Sequence, residues 1–285
     1  MDDFLTVTES MLRRCLPRRT RTAHKGDFGR VLLLCGARGY TGAPALAAMA
    51  AARTGAGLIY VGVPRSVYPI VAGKLLEPMV FPLPDEEDGA LSARAVPEIL
   101  ERLKTADACL IGCGLGAGAA RVLTAVLQNA ACPVVIDADG INALAGHIDI
   151  LRGAACPVVL TPHEGEARRL CPDLSTDRPI ALRQLQALTG VTVLYKGWHT
   201  LIGDGAVRYL NACGNPGLAT GGSGDVLSGI LVSLLGQGLA PVEAAAVGAY
   251  LHGTAADRCA ERLGEYGLLP SDLLDELPRL LITKE

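Results

Sequence analysis

The sequence has few aromatic residues and almost no excess of either charge. Aromatic side chains make up 4% of the 285 residues, and 26 basic against 29 acidic side chains give a formal net charge of −3. A slightly acidic chain has no overall field to attract phosphate backbones, which argues against a nucleic-acid-binding protein. Because half of the residues are apolar and 34 are glycine, we expect a core of small aliphatic side chains, as in helices packed on a parallel sheet.

The sequence also lacks paired cysteine motifs, an apolar segment near its first residue and a membrane-length apolar run. Its nine cysteines are odd in number and include no CxxC pair, which argues against a disulfide framework or a zinc cage and favours buried thiols in a reducing compartment. The N-terminus opens with acidic residues and has no apolar segment typical of a signal peptide. The longest uncharged stretch of the last third, 226–242, is shorter than the about 20 residues of a membrane span. We therefore expect a cytoplasmic protein with no membrane partner.

The middle of the chain alternates between strand-like and helix-like segments. Short continuous apolar runs are typical of strands that are buried on both faces. The predicted strands are 31–35, 58–63, 108–112, 134–137, 158–161 and 191–196. The predicted helices are 43–53, 93–103, 119–129, 179–188, 225–235 and 242–263. This alternation predicts an α/β fold with a mostly parallel central sheet and helices on both faces.

The remaining segments complete the predicted organisation. Residues 1–25 are rich in arginine and are predicted to form a solvated lead-in helix and linker. Segments 199–203 and 207–210 are predicted to form a hairpin, and 82–92 is predicted to be an exposed loop. No linker is long enough to divide the chain, so residues 1–285 are predicted to form a single domain.

The most informative segment is a glycine loop at 220–225 that runs directly into a predicted helix. Its glycines allow the unpaired amides of the first helical turn to converge on an anion such as a phosphoryl group. Ser223 or Asp225 alone would be explained as a helix cap, but a cap does not require three glycines. A carboxylate beside such amides suggests that Asp225 takes the proton from a hydroxyl that attacks phosphorus. The sequence contains no GxxxxGK[ST] pattern, which excludes a P-loop enzyme.

The interaction of an anion with a helix N-terminus is too weak to account for catalysis, which indicates that a further catalytic group is needed. A helix N-terminus contributes at most about 2 kcal/mol, whereas enzymatic rate gains require on the order of 8–23 kcal/mol. A magnesium ion that bridges phosphate oxygens is the expected supplement.

Four more polar or glycine-rich turns follow predicted strands and so belong to one edge of the sheet. Segments 137–142, 161–166 and 196–200 carry carboxylates, an imidazole, a lysine and a hydroxyl, and each is also explained by an ordinary turn or helix start. The turn at 112–117 fits the dinucleotide fingerprint, with Asp137 in the place of the ribose-binding acid. A nicotinamide-dependent oxidoreductase is therefore an alternative.

Together these segments resemble the NAD(P)H-hydrate dehydratase family of the ribokinase-like superfold. The similarity runs from about residue 24 to residue 260 and rests above all on GNPGLATGGSGDVLSGI at 214–230, with LTPHEGE and KGWHT upstream. The sequence departs from the family pattern at Cys113, where Pro is usual, at Leu218, where Met is common, and at 35–37, where Gly-Gly-Ser is usual.

The resemblance implies a ribokinase-like three-layer sandwich that repairs the S-epimer of hydrated NADH or NADPH (NADHX or NADPHX). The ring hydroxyl would be phosphorylated and phosphate then eliminated, with ADP giving AMP and phosphate, or with ATP in place of ADP. It also implies Mg²⁺ as cofactor, a homo-oligomer, tetrameric in the family, and a separate epimerase acting on the same metabolite. The alternatives are a small-molecule kinase for a vitamin precursor or sugar, and a nucleotide sensor without catalysis.

The resemblance further implies roles for individual residues. Asp225 would be the catalytic base and would contact the substrate. The anion hole would consist of Gly222, Ser223 and Gly224. The residues that bind the adenine nucleotide would be Lys196, Gly197, Trp198, His199, Thr200 and Gly224. The substrate site would also include Ala43, Gly116 and His163, and Glu166 would order magnesium through water.

Overall fold

The computed structural model describes residues 3–16 and 18–282. The strands are β1 (Leu5–Thr6), β2 (Arg30–Leu34), β3 (Leu58–Pro64), β4 (Met79–Leu83), β5 (Ala108–Ile111), β6 (Val134–Ile136), β7 (Val158–Leu160), β8 (Thr192–Tyr195), β9 (Thr200–Gly203) and β10 (Arg208–Asn211). The helices are α1 (Glu9–Cys15), α2 (Ala43–Arg53), α3 (Tyr68–Ala72), α4 (Val96–Leu103), α5 (Gly118–Asn129), α6 (Asp139–Leu144), α7 (Asp149–Arg152), α8 (Glu164–Leu170), α9 (Arg178–Thr189), α10 (Ser223–Gly236), α11 (Pro241–Leu263) and α12 (Leu273–Leu280).

The strands of the described residues form one sheet in the order β1-β10-β9-β8-β7-β6-β5-β2-β3-β4. Strands β2 to β8 run parallel to one another, whereas β9 is antiparallel to both β8 and β10. The predicted strands and the predicted hairpin match observed elements to within one residue at each end. The mostly parallel sheet is thus confirmed.

Successive residues of the central strands point to opposite faces of this sheet. Val31 and Leu33 belong to the core beneath α2, α10 and α11, whereas Leu32 and Leu34 belong to the core beneath α4 and α5. A smaller core lies between α8, α9 and the strands β8 and β9. Burying one such leucine contributes about 1.5–3 kcal/mol, so the continuous apolar runs are explained by strands that are covered on both sides. Helices on both faces are confirmed.

Close packing between α10 and α2 depends on small residues. A Cβ atom built on Gly229 would lie 2.2 Å from the carbonyl oxygen of Ala47, so only glycine fits at this contact. The far end of α10 is held as closely, because a Cβ atom on Gly29 would lie 2.1 Å from the carbonyl oxygen of Gly236. Gly29 immediately precedes β2, so the last residue of α10 lies at the amino edge of the parallel strands. The helix therefore runs antiparallel to these strands and begins at their carboxyl edge.

The N-terminal segment contributes more than a solvated lead-in. The expected helix is present as α1, but its Met11 and Leu12 are buried. Before it, β1 pairs with β10 in parallel and extends the sheet. Pro17, which is part of this segment, lies outside the described residues.

The expected exposed loop at 82–92 is partly wrong. Its first two residues belong to β4, an edge strand in which Pro82 is tolerated because no further strand needs its missing amide. Later in the segment Leu91 is buried, and the Ser92 amide donates a hydrogen bond to the Pro84 carbonyl. The segment therefore folds back onto the core.

None of the helices formed by the described residues has both the length and the apolar character needed to cross a membrane. All nine cysteines are free, and five of them are buried, as expected of thiols that serve as small apolar side chains.

Candidate active site

The loops that carry the predicted site residues converge at the carboxyl edge of the sheet. Strands β2, β5, β6, β7 and β8 are parallel, so their following loops leave on the same side. Because β9 reverses direction and β10 reverses it again, the loop after β10 starts at that edge too. That loop leads into α10. The topology thus brings together segments that are far apart in the chain.

A buried ion pair lies at the centre of this edge. Asp137, which follows β6, is 2% exposed, and its Oδ1 lies 2.8 Å from the Lys196 Nζ. The Thr161 hydroxyl donates a 2.7 Å hydrogen bond to the same oxygen, and the Ser228 hydroxyl donates a 2.8 Å bond to Oδ2. Burial alone would raise the pKa of Asp137, but Lys196 and these hydroxyls lower it. Asp137 is therefore ionised, with an ion-pair or hydrogen-bond partner on each carboxylate oxygen.

Glu166 is the second carboxylate near Lys196. Its Oε2 lies 3.7 Å from the Lys196 Nζ and accepts a 2.8 Å hydrogen bond from the His163 amide. His163 caps α8, since its Nδ1 accepts hydrogen bonds from the amides of Gly165 and Glu166. The imidazole itself is 53% exposed. The arrangement leaves the His163 ring facing outward while Glu166 is buried beneath it.

The glycine loop before α10 lies directly on the ion pair. Gly222 has a φ of +98°, a conformation that favours glycine. A Cβ atom built on Gly224 would lie 3.5 Å from Asp137 Oδ2 and 3.6 Å from Lys196 Nζ. The Ser223 hydroxyl turns inward, 3.3 Å from the Nε2 of buried His252. The backbone amides at the start of α10 therefore lie beside a lysine ammonium, which is a suitable environment for an anion.

Asp225 lies in the first turn of α10, half-buried among charged groups. Burial raises its pKa to about 6, and the charge of Asp137 acts in the same direction. A hydrogen bond from the Cys113 thiol and the charge of Lys196 act against this shift. A carboxylate with such a pKa is ionised at neutral pH and is basic enough to accept a proton. The side chain is thus in the cleft and not in bulk solvent.

The segment after β8 presents an exposed aromatic pair. Trp198 is 81% exposed, and its ring stacks on His199 with a centroid distance of 3.8 Å. The Nδ1 of His199 is shielded from solvent and has no hydrogen-bond partner among the described residues. Arg178 supports this segment, since its guanidinium donates hydrogen bonds to the carbonyls of Tyr195 and Lys196. The exposed ring of Trp198 is a suitable stacking surface for a base.

Two of the expected substrate residues lie on neighbouring loops. Ala43 begins α2, and its Cβ lies 3.2 Å from a Cβ atom built on Gly114. The Gly116 amide donates a 2.7 Å hydrogen bond to Asp139 Oδ2, and a Cβ atom on Gly116 would meet open space. The loop that carries Gly116 therefore packs against the start of α2.

Asp137 does not have the role that an oxidoreductase would give it. In that alternative its carboxylate binds a ribose hydroxyl, which requires an accessible side chain. Both oxygens are instead buried and bound to Lys196, Thr161 and Ser228. The match at 112–117 is therefore a tight turn packed on residue 137, because a Cβ atom on Gly112 would lie 1.9 Å from the Asp137 carbonyl oxygen.

Several residues of the site were not identified from the sequence. Ser228 stands three residues after Asp225, so helical spacing alone places both on one face. His252 appeared isolated, yet it contacts Ser223 from α11. Asp257, also on α11, accepts hydrogen bonds from the Gly214 amide and the Asn215 side chain. No local pattern marks the two α11 residues, because their partners are in another part of the chain.

Comparison with known proteins agrees with the sequence motifs. A family model for NAD(P)H-hydrate dehydratase matches residues 31–279. The bifunctional NAD(P)H-hydrate repair enzyme Nnr of Moorella thermoacetica is 46% identical over 284 residues, which cover 96% of this chain and 53% of that relative. The ADP-dependent (S)-NAD(P)H-hydrate dehydratase of Neisseria meningitidis is 39% identical, with 90% of this chain and 86% of the relative covered. The chain spans about half the length of the bifunctional relatives it matches.

Solved structures show the same similarity. The ADP/ATP-dependent NAD(P)H-hydrate dehydratase from Bacillus subtilis, co-crystallised with ATP and Mg²⁺, has a TM-score of 0.84 and 30% identity, with 98% of each chain covered. A ribokinase-like superfamily protein from Enterococcus faecalis has a TM-score of 0.83 and 29% identity, with 98% of this chain and 95% of that chain covered. The expected ribokinase-like fold is confirmed.

Proposed function

This chain belongs to the NAD(P)H-hydrate dehydratase family, and we propose that it dehydrates the S-epimer of NADHX or NADPHX, with ADP or ATP as phosphoryl donor. One observation carries the proposal above the others. The Asp225 carboxylate lies in the cleft at the start of α10, beside a glycine loop and the Lys196 ammonium. A base, an anion site and a cation are therefore adjacent, as phosphoryl transfer to a hydroxyl requires.

In the first step Asp225 takes the proton from the ring hydroxyl, whose oxygen attacks the terminal phosphorus of the nucleotide. The bond between that phosphorus and the bridging oxygen breaks, and AMP leaves when the donor is ADP. In the second step the carbon–oxygen bond breaks and phosphate departs. Loss of a proton from the adjacent ring carbon then restores the double bond of the dihydronicotinamide. Phosphorylation thus converts a poor leaving group into a good one.

The transferring phosphoryl group would be held by the amides of Gly222, Ser223 and Gly224. The first-turn amides of a helix lack intrahelical partners and carry partial positive charge. Lys196 adds a full charge next to Gly224. These groups are fixed before the reaction, so they stabilise the charge of the transition state without reorganisation.

The adenine nucleotide would lie along residues 196–200. The exposed ring of Trp198 offers a stacking surface for the base. The His199 ring, which stacks on Trp198, would support that surface. Gly197 and Thr200 shape this segment, since the Thr200 hydroxyl donates a 3.0 Å hydrogen bond to the Gly197 carbonyl. The dinucleotide substrate would occupy the other side of the cleft, with Ala43, Gly116 and His163.

The site fits a magnesium ion that arrives with the nucleotide. Within residues 3–16 and 18–282, no group of three or more His, Cys, Asp or Glu side chains is arranged to hold a metal. Magnesium commonly uses phosphate and water oxygens with one or two carboxylates, and Glu166 would supply a carboxylate to one of its waters. When bound, the ion would neutralise charge on the phosphate oxygens.

The test is to incubate the protein with hydrated NADH or NADPH and either ADP or ATP, and to follow the absorbance of the reduced nicotinamide. We expect the absorbance to return only when a nucleotide is present. A kinase would instead accumulate a stable phosphorylated product, and a sensor would bind ADP without any turnover. Absence of both turnover and product would contradict the proposal.

Three expectations about the cellular context are part of the proposal. The nine free cysteines support a reducing compartment such as the cytoplasm. A homo-oligomer is supported by the exposed apolar side chains of Ile70, Leu76 and Met79 near the edge strand β4, and light scattering after size-exclusion chromatography measures it. A separate epimerase for the same metabolite stays a prediction.

A further inference from the structure

We propose that Asp137 is a positioning residue of this reaction, which holds the Lys196 ammonium against the Gly224 end of the anion hole. The inference rests on the proposed function and adds to it a residue that contacts neither nucleotide nor substrate. Its basis is the geometry of the buried ion pair and the groups that hold it.

The Asp137 carboxylate is held on both oxygens. Oδ1 binds Lys196 at 2.8 Å and accepts the Thr161 hydroxyl at 2.7 Å, and Oδ2 accepts the Ser228 hydroxyl at 2.8 Å. The Cys113 thiol lies 3.8 Å from Oδ2. These groups come from loops and helices after four different strands. A side chain with this many partners has one orientation, so it can fix the position of a flexible partner.

Lys196 is such a flexible partner. Its ammonium sits on a four-carbon stem with several rotatable bonds. With Asp137 in place, it lies near the position that a Cβ atom on Gly224 would occupy, at 3.6 Å. A second carboxylate near the ammonium is Glu166, at 3.7 Å. Without the Asp137 charge, we expect the ammonium to shift toward Glu166 and away from the phosphoryl site.

The Asp137 charge also acts on Asp225. Four groups from separate elements influence the pKa of this side chain: Asp137 after β6, Cys113 after β5, Lys196 after β8 and Asp139 at the start of α6. The charges of Asp137 and Asp139 raise the pKa of Asp225, and Cys113 and Lys196 lower it. Asp137→Asn removes a negative charge that raises the pKa of Asp225, so we expect that pKa to fall and the residue to become a weaker base.

The experiment compares wild type with Asp137→Asn, an isosteric change. We expect kcat to fall on the order of 10²-fold, because a misplacement of about 1 Å costs that much, with a much smaller change in the KM for ADP. The acid limb of the pH–rate profile is expected to move to lower pH. Carbon-13 NMR of labelled aspartate side chains, with the Asp225 signal assigned from Asp225→Asn, measures the same titration without turnover.

A matched control removes a carboxylate at the other edge of the sheet. Asp107→Asn eliminates an exposed carboxylate that accepts a hydrogen bond from the Arg30 amide, and it should change neither kcat nor the Asp225 titration. If Asp137→Asn leaves both unchanged too, or raises only the KM for ADP, the proposal is overturned.

A second pair of variants applies if Asp137→Asn does not fold. Thr161→Val keeps the side-chain shape and removes the hydroxyl, whereas Thr161→Ser keeps the hydroxyl. A loss of kcat in the first that is restored in the second supports the proposal, and equal kcat values contradict it. If wild type shows no dehydration, the proposed function fails, while the NMR titration still tests the effect of Asp137 on Asp225.

Discussion

Charged side chains have different surroundings at the two edges of the sheet. At the carboxyl edge, Asp137 is buried and forms an ion pair with Lys196. At the amino edge, a cavity of about 800 Å³ is lined by exposed arginines. There the Arg19 guanidinium binds the carbonyl of Gly55 and covers the ring of Phe28. At the carboxyl edge, charged side chains are buried in contact with each other. At the amino edge, arginine side chains cover backbone and aromatic surface.

The difference separates function from packing. The attraction between two buried ions barely offsets the free energy that they lose on leaving water. A buried ion pair therefore adds little stability compared with apolar residues of similar size. Such pairs and perturbed carboxylates are concentrated where chemistry needs them. An arginine that covers an aromatic ring and a carbonyl contributes through packing and hydrogen bonding, and needs no ligand. We therefore expect substitutions at the carboxyl edge to change turnover, and substitutions at the amino edge to change stability alone.

The largest effect is expected from Asp225→Asn. Removing the base should lower kcat on the order of 10²–10⁴-fold, while the amides and Lys196 that hold the nucleotide stay in place. Steady-state kinetics and calorimetric titration with ADP measure the two quantities. Turnover equal to that of wild type would exclude Asp225 as the base.

The pH dependence of wild type is the next largest effect. Asp225 acts as a base only when ionised, and burial raises its pKa to about 6. Activity should therefore fall about tenfold for each pH unit below that value, and be constant above it as far as Asp225 is concerned. A kcat/KM profile shows this directly. An acid limb near pH 4, the ordinary range of aspartate, would show that the cleft does not perturb Asp225.

A smaller effect is expected from the aromatic rings at the two edges, which differ in how far they are covered. Phe28 is covered by Arg19, whereas Trp198 contacts His199 and is otherwise exposed. Trp198→Ala should raise the KM for ADP about tenfold through lost base stacking, with little change in stability. Trp198→Phe, which keeps an aromatic face, is the control. An unchanged KM in Trp198→Ala would contradict the nucleotide-binding assignment.

The smallest effect is expected from a substitution at the amino edge, where stability and not turnover should change. Arg19→Leu should lower the free energy of unfolding by about 1–2 kcal/mol, because it removes a hydrogen bond and a cation–ring contact. Urea denaturation measures this, and the exposed Arg21→Leu is the comparison, with an expected change within about 0.5 kcal/mol. Turnover should be unaffected. A loss of kcat in Arg19→Leu would show that the two edges are coupled.

Elements with strong local patterns were predictable, and peripheral ones were not. The six inner strands followed from apolar runs that only strands covered on both faces require. Strand β4 was missed because Pro82 interrupts its pattern, and β1 because two residues carry no periodicity. Of the proposed site, Asp225 and its glycine loop were predictable, since three glycines before a helix exceed what capping needs.

The sequence by itself determined the order of strands, turns and helices, and with it the edge at which polar loops gather, because hydrophobic periodicity and glycine positions are local properties. Only the tertiary structure decided which of those side chains meet. Asp137 binds Lys196 across 59 residues and Ser228 across 91. Such contacts depend on the order of the strands within the sheet, as opposed to their order along the chain, and on helix packing. No local pattern encodes either of these. The burial and charge around Asp225 that raise its pKa arise from the same long-range contacts.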